Sequence, residues 1–433
     1  MVDIKIQINS RAFNPFVKAN SDKLKNLIDE VQTQIEGYEH YYQLRKRARR
    51  VADQATFERM IEALVCDLSM VALEPNHEAI HLPLGNKVLR RASRYKSRVL
   101  GKTLPGLLDI MSAPEMEFVT LTKGRTQFRI VDRDLNVVPT DGVQTTLAPG
   151  SKLLSRIERF GITKADVTWS DDQEAIVLRK AKKPWQDHAE AQEYTDTVET
   201  HHLRAEIQAI NAYLAQAEIT CDHPSINSQE RYVRRIFNNG SFTQGGRLYG
   251  GFWQRMTSEE RAEHIRIDGD EIAECDYGQM SLLLLYAEAA AQDAIPEGDL
   301  YDLSAYGIPI TCRPGIKKTI QAIINSPTLP ARLPGGARKY IPSKISFKDI
   351  LSATQKKHPK IFPLMTSNIG MQLFRKESDI LVAVLGALKA QGVVALPIHD
   401  AVLVADEAKE TTQEVMRGVF REMTGITPPV TLG

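Results

Sequence analysis

The sequence predicts an α+β fold with a mostly helical N-terminal region, and three observations carry that expectation. Residues 20–72 set Leu24, Ile28, Val31 and Ile35 at helical spacing between charged positions. From Glu117 to Lys183 the apolar period shortens, with strand-like runs Phe118-Val-Thr-Leu-Thr, Gln127-Phe-Arg-Ile-Val and Glu174-Ala-Ile-Val-Leu178 between turn signals at Lys123-Gly124, Asp141-Gly142 and Pro149-Gly150. Farther on, two short apolar runs, Ile272-Ala-Glu-Cys-Asp276 and Leu396-Pro-Ile-His-Asp400, each end in an aspartate.

A chain of 433 residues with 42% apolar composition can bury substantial cores, and its length favours two or three domains. The net charge of +1 is uninformative as a sum, because a basic groove and an acidic site cancel. Four cysteines lie far apart with no Cys-x-x-Cys spacing, which predicts reduced thiols in a cytoplasmic protein. The start lacks the apolar core of a signal peptide, and no apolar run nears the roughly 18 residues a membrane helix needs.

Arg45-Lys-Arg-Ala-Arg-Arg50 is a dense basic cluster, read equally well as a solvated helix face or a nucleic-acid contact. From Lys87 to Lys102 the spacing predicts a helix with Arg90, Arg94 and Arg98 on a basic stripe and Val88, Ala92, Tyr95 and Val99 on a second one. Such a face suits phosphates, with affinity that falls as salt rises. Lys180 to Asp196, around Pro184, reads as a linker, and Thr197 to Glu218 returns to a helical pattern. Arg234, Arg235 and Arg247, with Tyr249 and Trp253, then mix cations and aromatics as single-strand contacts do.

The aspartates carry the chemistry. Asp268-Gly269-Asp270 predicts a hairpin turn between His264–Ile267 and Glu271–Cys275. With a period of two, Ile272, Glu274 and Asp276 share one face while Ala273, Cys275 and Tyr277 take the other. Val393–Leu396 and Val402–Val404 flank a second hairpin with His399-Asp400 at its tip. Carboxylates at two such strand ends could hold a pair of Mg²⁺ ions, with Mn²⁺ as a substitute, and the implied chemistry is phosphoryl transfer. Between them, Arg313-Pro-Gly-Ile-Lys317-Lys318-Thr-Ile-Gln321-Ala-Ile-Ile-Asn325 predicts a helix with Lys317, Gln321 and Asn325 near one face and Ile316, Ile320 and Ile323 mostly opposite. Leu282–Ala291 predicts an apolar helix behind the first aspartate, and Asp299 reads as a cap or an acid near the site. Ser326 to Lys348, rich in Pro, Gly and cations, reads as a mobile, phosphate-facing loop.

In these residues the chain resembles the superfamily of family A DNA polymerases and single-subunit phage RNA polymerases. Asp276-Tyr277-Gly278-Gln279 is similar to their motif A, Arg313 and Lys317 to motif B, and His399-Asp400 to motif C, in the same order. Gly246-Arg247-Leu248-Tyr249 resembles the Gly-Arg-Val-Tyr element before motif A, and Met371–Ile380 the helix entering motif C. The likeness covers about residues 230 to 433 and is strongest to compact primase-polymerase proteins of phages and mobile elements. Asn325-Ser326 stands where relatives have Tyr-Gly, Ala401 where they have Glu or Ser, and Ser281 where the DNA branch has a Glu that walls off the sugar 2′ position.

The resemblance implies a right-hand polymerase palm with an antiparallel sheet and reduced fingers in 246–433; the residues before it read by their own patterns as a basic helical region in 1–112, a small mixed α/β region in 113–190 and a helical segment in 191–245, thumb-like or an ordinary core helix. It implies a template-directed nucleotidyltransferase that works on DNA template, primer strand and nucleoside triphosphates, tolerates ribonucleotides, and has room for a helicase or small DNA-binding partner. Asp276, Asp400 and the Tyr277 carbonyl would hold the metals. Arg313, Lys317 and Lys318 would meet the triphosphate, and Gln321, Asn325 and Ser281 the base or sugar. Arg247 and Tyr249 would touch nucleic acid, while His399 orients Asp400, touches a primer phosphate or caps its hairpin. The alternatives are a DNA-directed RNA polymerase, a two-metal nuclease, and a catalytically degenerate nucleic-acid binder.

Overall fold

The computed structural model describes residues 9–433 apart from Pro75, 131–136, Asp171, Pro184 and Asp187, and describes only the backbone of 125–130 and 137–142. The linker proline and Val131 of an expected strand therefore lie outside the described residues. The fold is mixed α+β with several small sheets, and no described helix is long and apolar enough to cross a membrane. The chain divides into two compact units, one formed by 1–174 with 223–230 and the other by 175–222 with 231–433.

In the N-terminal unit, long helices Asp22–Tyr41 and Val51–Leu73 form where the sequence repeats apolar residues at helical spacing. Ser21 caps the first by accepting from the Leu24 N–H at 3.3 Å. Leu24, Val31 and Ile35 share one core with Ile61, Leu64 and Leu68 of the second. A four-stranded sheet, in the order Ser10–Ala12, Ala79–Leu82, Thr145–Pro149 and Val119–Thr122, packs into the same unit. Strands from both sides of residue 112 join in it, so 1–112 and 113–174 form one unit rather than two.

The basic helix expected over Lys87–Lys102 does not form; only Asn86–Arg90 is helical. Ser93 and Ser97 explain why, since each hydroxyl accepts from the N–H two residues on (Tyr95 and Val99, both at 3.3 Å) and folds a local turn instead. Lys96 then reaches back and donates to the carbonyls of Val88, Leu89 and Arg91 at 2.8–3.0 Å, closing off the short helix.

The C-terminal unit is built on a four-stranded antiparallel sheet in the order Leu396–Ile398, Ala401–Ala405, Ile272–Tyr277 and Val430–Leu432. Its edge strand contains Pro397, which has no N–H for a further neighbour, and whose carbonyl takes hydrogen bonds from buried Trp253 and from Gln254 at 2.9 Å. Helix Lys409–Thr424 covers one face, where the Tyr277 hydroxyl donates to the Met416 carbonyl at 2.7 Å. The predicted alternation holds, with Ala273, Cys275 and Tyr277 buried and Ile272, Glu274 and Asp276 half-buried on the other face.

Two local expectations need correction. The Asp268-Gly269 turn forms, with both residues at positive φ (54° and 83°), but Ile265–Ile267 pairs with Ile219–Cys221 and not with Ile272–Tyr277. Ala401–Ala405 occupies one edge of the latter strand along Ile272–Asp276, and Val430–Leu432 pairs with the other only at Cys275–Tyr277. The loop after Asn325 is packed: Ala337, Ile341 and Ile345 are buried, and Arg338 donates to its own loop's carbonyls of Pro342 and Ile345. It seats against Gly315, where a Cβ would come within 2.6 Å of Ile341.

Candidate active site

Asp276 lies directly opposite Ala401 in the sheet register, and Asp400 is the residue before it. Facing Cα atoms in antiparallel strands are about 4.5–5.5 Å apart, so the two aspartates are neighbours. Ile398 pairs with Ala401, which makes His399-Asp400 a two-residue hairpin tip. His399 takes φ 54°, a left-handed conformation that costs a non-glycine residue energy and that functional turns commonly store.

Neither aspartate has an ion-pair partner among the described residues, unlike Glu274 on the same face, which accepts from Arg261 at 2.8 Å. Burial, and then the charge of Asp400, push the Asp276 carboxyl up to about 7, and the ammonium of Lys317 opposes that rise. The charges of Lys317 on Asp276 and of Arg247 on Asp400 thus oppose the mutual repulsion of the two carboxylates.

A third carboxylate joins them. Glu377 sits on helix Gly370–Ala390 and is only 3% exposed, with burial first and then Asp400 and Asp276 raising its pKa to about 7. Its partner is Arg247, whose Nε donates at 2.6 Å and whose guanidinium lies 3.9 Å over the Phe374 ring. Burial works against the charged guanidinium, but the bond to Glu377 leaves the Arg247 pKa raised. Sequence reading missed Glu377, although a signal was there: it stands four residues from both Leu373 and Leu381 in the buried stripe of its helix.

The strand Gly245–Tyr249 brings Arg247 there, and Gly246 at φ 90° lets it do so. The Gly246 carbonyl accepts from Ser378 and, at 3.0 Å, from Arg235. Arg235 is 1% exposed and ion-paired with Asp379 and Glu206, so it is a buried brace and not the template contact expected of it. Tyr249 and His399 meet edge to face with centroids 5.9 Å apart. Burial, then the charge of Arg247, lower the His399 pKa and favour its neutral ring.

The helix Arg313–Ile324 forms with Pro314 in its first turn and buries Ile316, Ile320, Ile323 and Ile324, leaving Lys317 exposed. Gln321 donates to the Ser281 hydroxyl at 3.0 Å and to the Tyr301 hydroxyl at 3.3 Å, so two of the three residues expected at the base or sugar lie in contact. Burial raises Tyr301 to about 12, and its ring lies 5.6 Å below the Arg313 guanidinium. Arg313 is itself ion-paired with Asp299, which also accepts from the Tyr301 N–H at 3.0 Å as a local cap does, while the charge of Lys317 acts on Asp276. Asn325 departs from its expected place: it donates to the Gln321 carbonyl at 2.8 Å and packs at Gly370, a cap on its helix end. Lys318 turns to the ring of Tyr340 at 5.5 Å.

Arg90, Arg94 and Arg98 belong to the N-terminal unit. Arg94 lies 3.5 Å from Glu174, while Arg90 and Arg98 are exposed.

Among the described residues no group of three or more His, Cys, Asp or Glu side chains is arranged to hold a metal ion. The Asp276–Asp400 pair nonetheless fits Mg²⁺, which takes one or two carboxylates and leaves its other positions to water and phosphates. The raised Asp276 pKa marks a charge that a bound cation would relieve. No family model matches the chain, and no curated protein matches it in sequence.

Proposed function

We propose that this chain is a template-directed nucleotidyltransferase of DNA polymerase or primase type, with the four-stranded antiparallel sheet as a polymerase palm. One observation carries the reading: Asp276 and Asp400 meet across neighbouring strands without ion-pair partners among the described residues, and the charge of Lys317 acts on Asp276. The order of the three resembling segments along the chain supports it further.

In this reading Asp276 and Asp400 hold Mg²⁺, which when bound supplies positive charge at the attacking 3′ hydroxyl and at the leaving oxygen. Lys317 neutralises charge on the triphosphate. Gln321, held between Ser281 and Tyr301, lines the sugar, and the small Ser281 leaves room for a 2′ hydroxyl. Arg247, locked to Glu377, and the Tyr249–His399 pair present a cation and an aromatic edge to the growing strand.

Incorporation of labelled dNTPs and NTPs on a single-stranded template, with and without primer, tests the proposal. Metal-dependent extension with both triphosphate sets supports it. Strict use of dNTPs removes the ribonucleotide part, and degradation of the template without triphosphates replaces the polymerase with a nuclease.

A further inference from the structure

The connection between helices Asp22–Tyr41 and Val51–Leu73 holds five cations within six residues, Arg45 to Arg50. Immediately before it stand three tyrosines, with Tyr42 in contact with both of the others. The Tyr38 and Tyr42 ring centroids are 4.5 Å apart, and those of Tyr41 and Tyr42 are 4.9 Å apart. Tyr38 packs against the core of the unit, but Tyr41 and Tyr42 are not core, being 79% and 45% exposed. Beside them a cleft of about 750 Å³ runs past Tyr38, Tyr42, Leu44, Arg45 and Lys102.

The floor of this cleft is fixed. Arg49 donates to both carboxylate oxygens of buried Glu39 at 2.6 Å and lies 3.4 Å over the Phe57 ring. Asp53 and Asp109 also line the cleft, and Asp109 is 3.2 Å from Lys123. Inside, charges of both signs are present, so an anion is not drawn to the bottom. The rest of the connection differs: Lys46, Arg47 and Arg50, which do not line the cleft, are exposed and have no carboxylate within ion-pairing distance among the described residues.

Exposed aromatic faces next to unpaired cations match a ligand with accessible base faces and a phosphate backbone. A duplex hides its base faces. We propose that this corner of the N-terminal unit binds single-stranded nucleic acid, with bases stacked on Tyr41 and Tyr42 and phosphates held by Lys46, Arg47 and Arg50. The proposal stands apart from the aspartate site, which lies in the other unit.

The test is fluorescence anisotropy of a labelled oligothymidylate with the full chain across a salt series, without divalent ions. Each protein carries Asp276→Ala and Asp400→Ala so that metal-dependent binding there does not enter. Tyr41→Ala with Tyr42→Ala should weaken binding at least about fivefold while leaving the salt slope in place. Lys46→Ala, Arg47→Ala and Arg50→Ala together should reduce the slope of log K against log salt by about 2, roughly 0.7 per cation. Tyr41→Ala alone, at a position 79% exposed, repeats the first arm without risk to folding. Photo-crosslinking of a 4-thiothymidine oligonucleotide should label the peptide containing residues 38–50.

Unchanged affinity and slope in these variants, or crosslinks confined to other peptides, overturn the inference. Incorporation by the parent chain, together with binding that these substitutions leave unaltered, keeps the proposed activity and loses this site. A chain that never incorporates but shows both losses keeps the site and loses the activity.

Discussion

Two cation-bearing stretches with nearly the same spacing become different objects. Arg313–Ile324 is a helix whose Ile316, Ile320, Ile323 and Ile324 are at most 1% exposed. Lys87–Lys102 is a single helical turn followed by serine-closed turns, and its Val88 is 41% exposed. Periodic charge alone does not make a helix; a continuous apolar stripe with somewhere to be buried does. The outcome decides what the cations do. The charge of Lys317 acts on an aspartate that has no ion-pair partner among the described residues, whereas Lys96 is consumed by the carbonyls of its own turn.

The comparison sharpens most at the apolar stripe. Ile320→Ala should cost about 2–5 kcal/mol by urea unfolding, and Val88→Ala within about 0.5 kcal/mol. Equal costs would mean that burial is not what separates the two stretches. Next comes the cation itself: Lys317→Ala should lower nucleotide incorporation about 10²–10³-fold, while Arg98→Ala stays within about twofold. A reversed order would move the site to the other stretch.

The target of Lys317 supplies a pH test. The Asp276 pKa is raised from 3.8 to about 7, so the stability linked to its neutral form is complete below pH 3.8 and lost as pH rises through 7. In chelator, Asp276→Asn should therefore be more stable than the parent at pH 8, by roughly 1–2 kcal/mol after allowance for solvent screening, and no more stable at pH 3.5. A denaturation midpoint that gains nothing at pH 8 would show that the carboxyl is not under this strain. The smallest effect belongs to the other stretch, where Lys96→Ala should cost about 0.5–1 kcal/mol through the lost helix-end contacts, with the protein otherwise folded.

What could be read from the residues follows the same division. The alternation of Ile272 to Tyr277, the His399-Asp400 tip and the Lys317 helix were legible because each rests on a short period with its own turn or proline signal. Strand partners were not legible. Ile265–Ile267 takes Ile219–Cys221 as its partner, more than 40 residues earlier, and Ile272–Tyr277 takes Ala401–Ala405 and Val430–Leu432, more than 100 residues later. Side-chain engagement was equally hidden. Arg235, Arg313 and Asn325 look like free ligand-binding groups in sequence, and each is held by a carboxylate or carbonyl brought near by the fold.

The account rests on Asp276 and Asp400 acting as one pair. The direct measurement is Mg²⁺-dependent nucleotide incorporation by the parent and by Asp276→Asn and Asp400→Asn, each singly and together. Activity in the parent, with each single variant reduced at least about 10³-fold and the double variant no worse, is what a shared site predicts. A parent that incorporates nothing, or a double variant that retains the parent's rate, would contradict it.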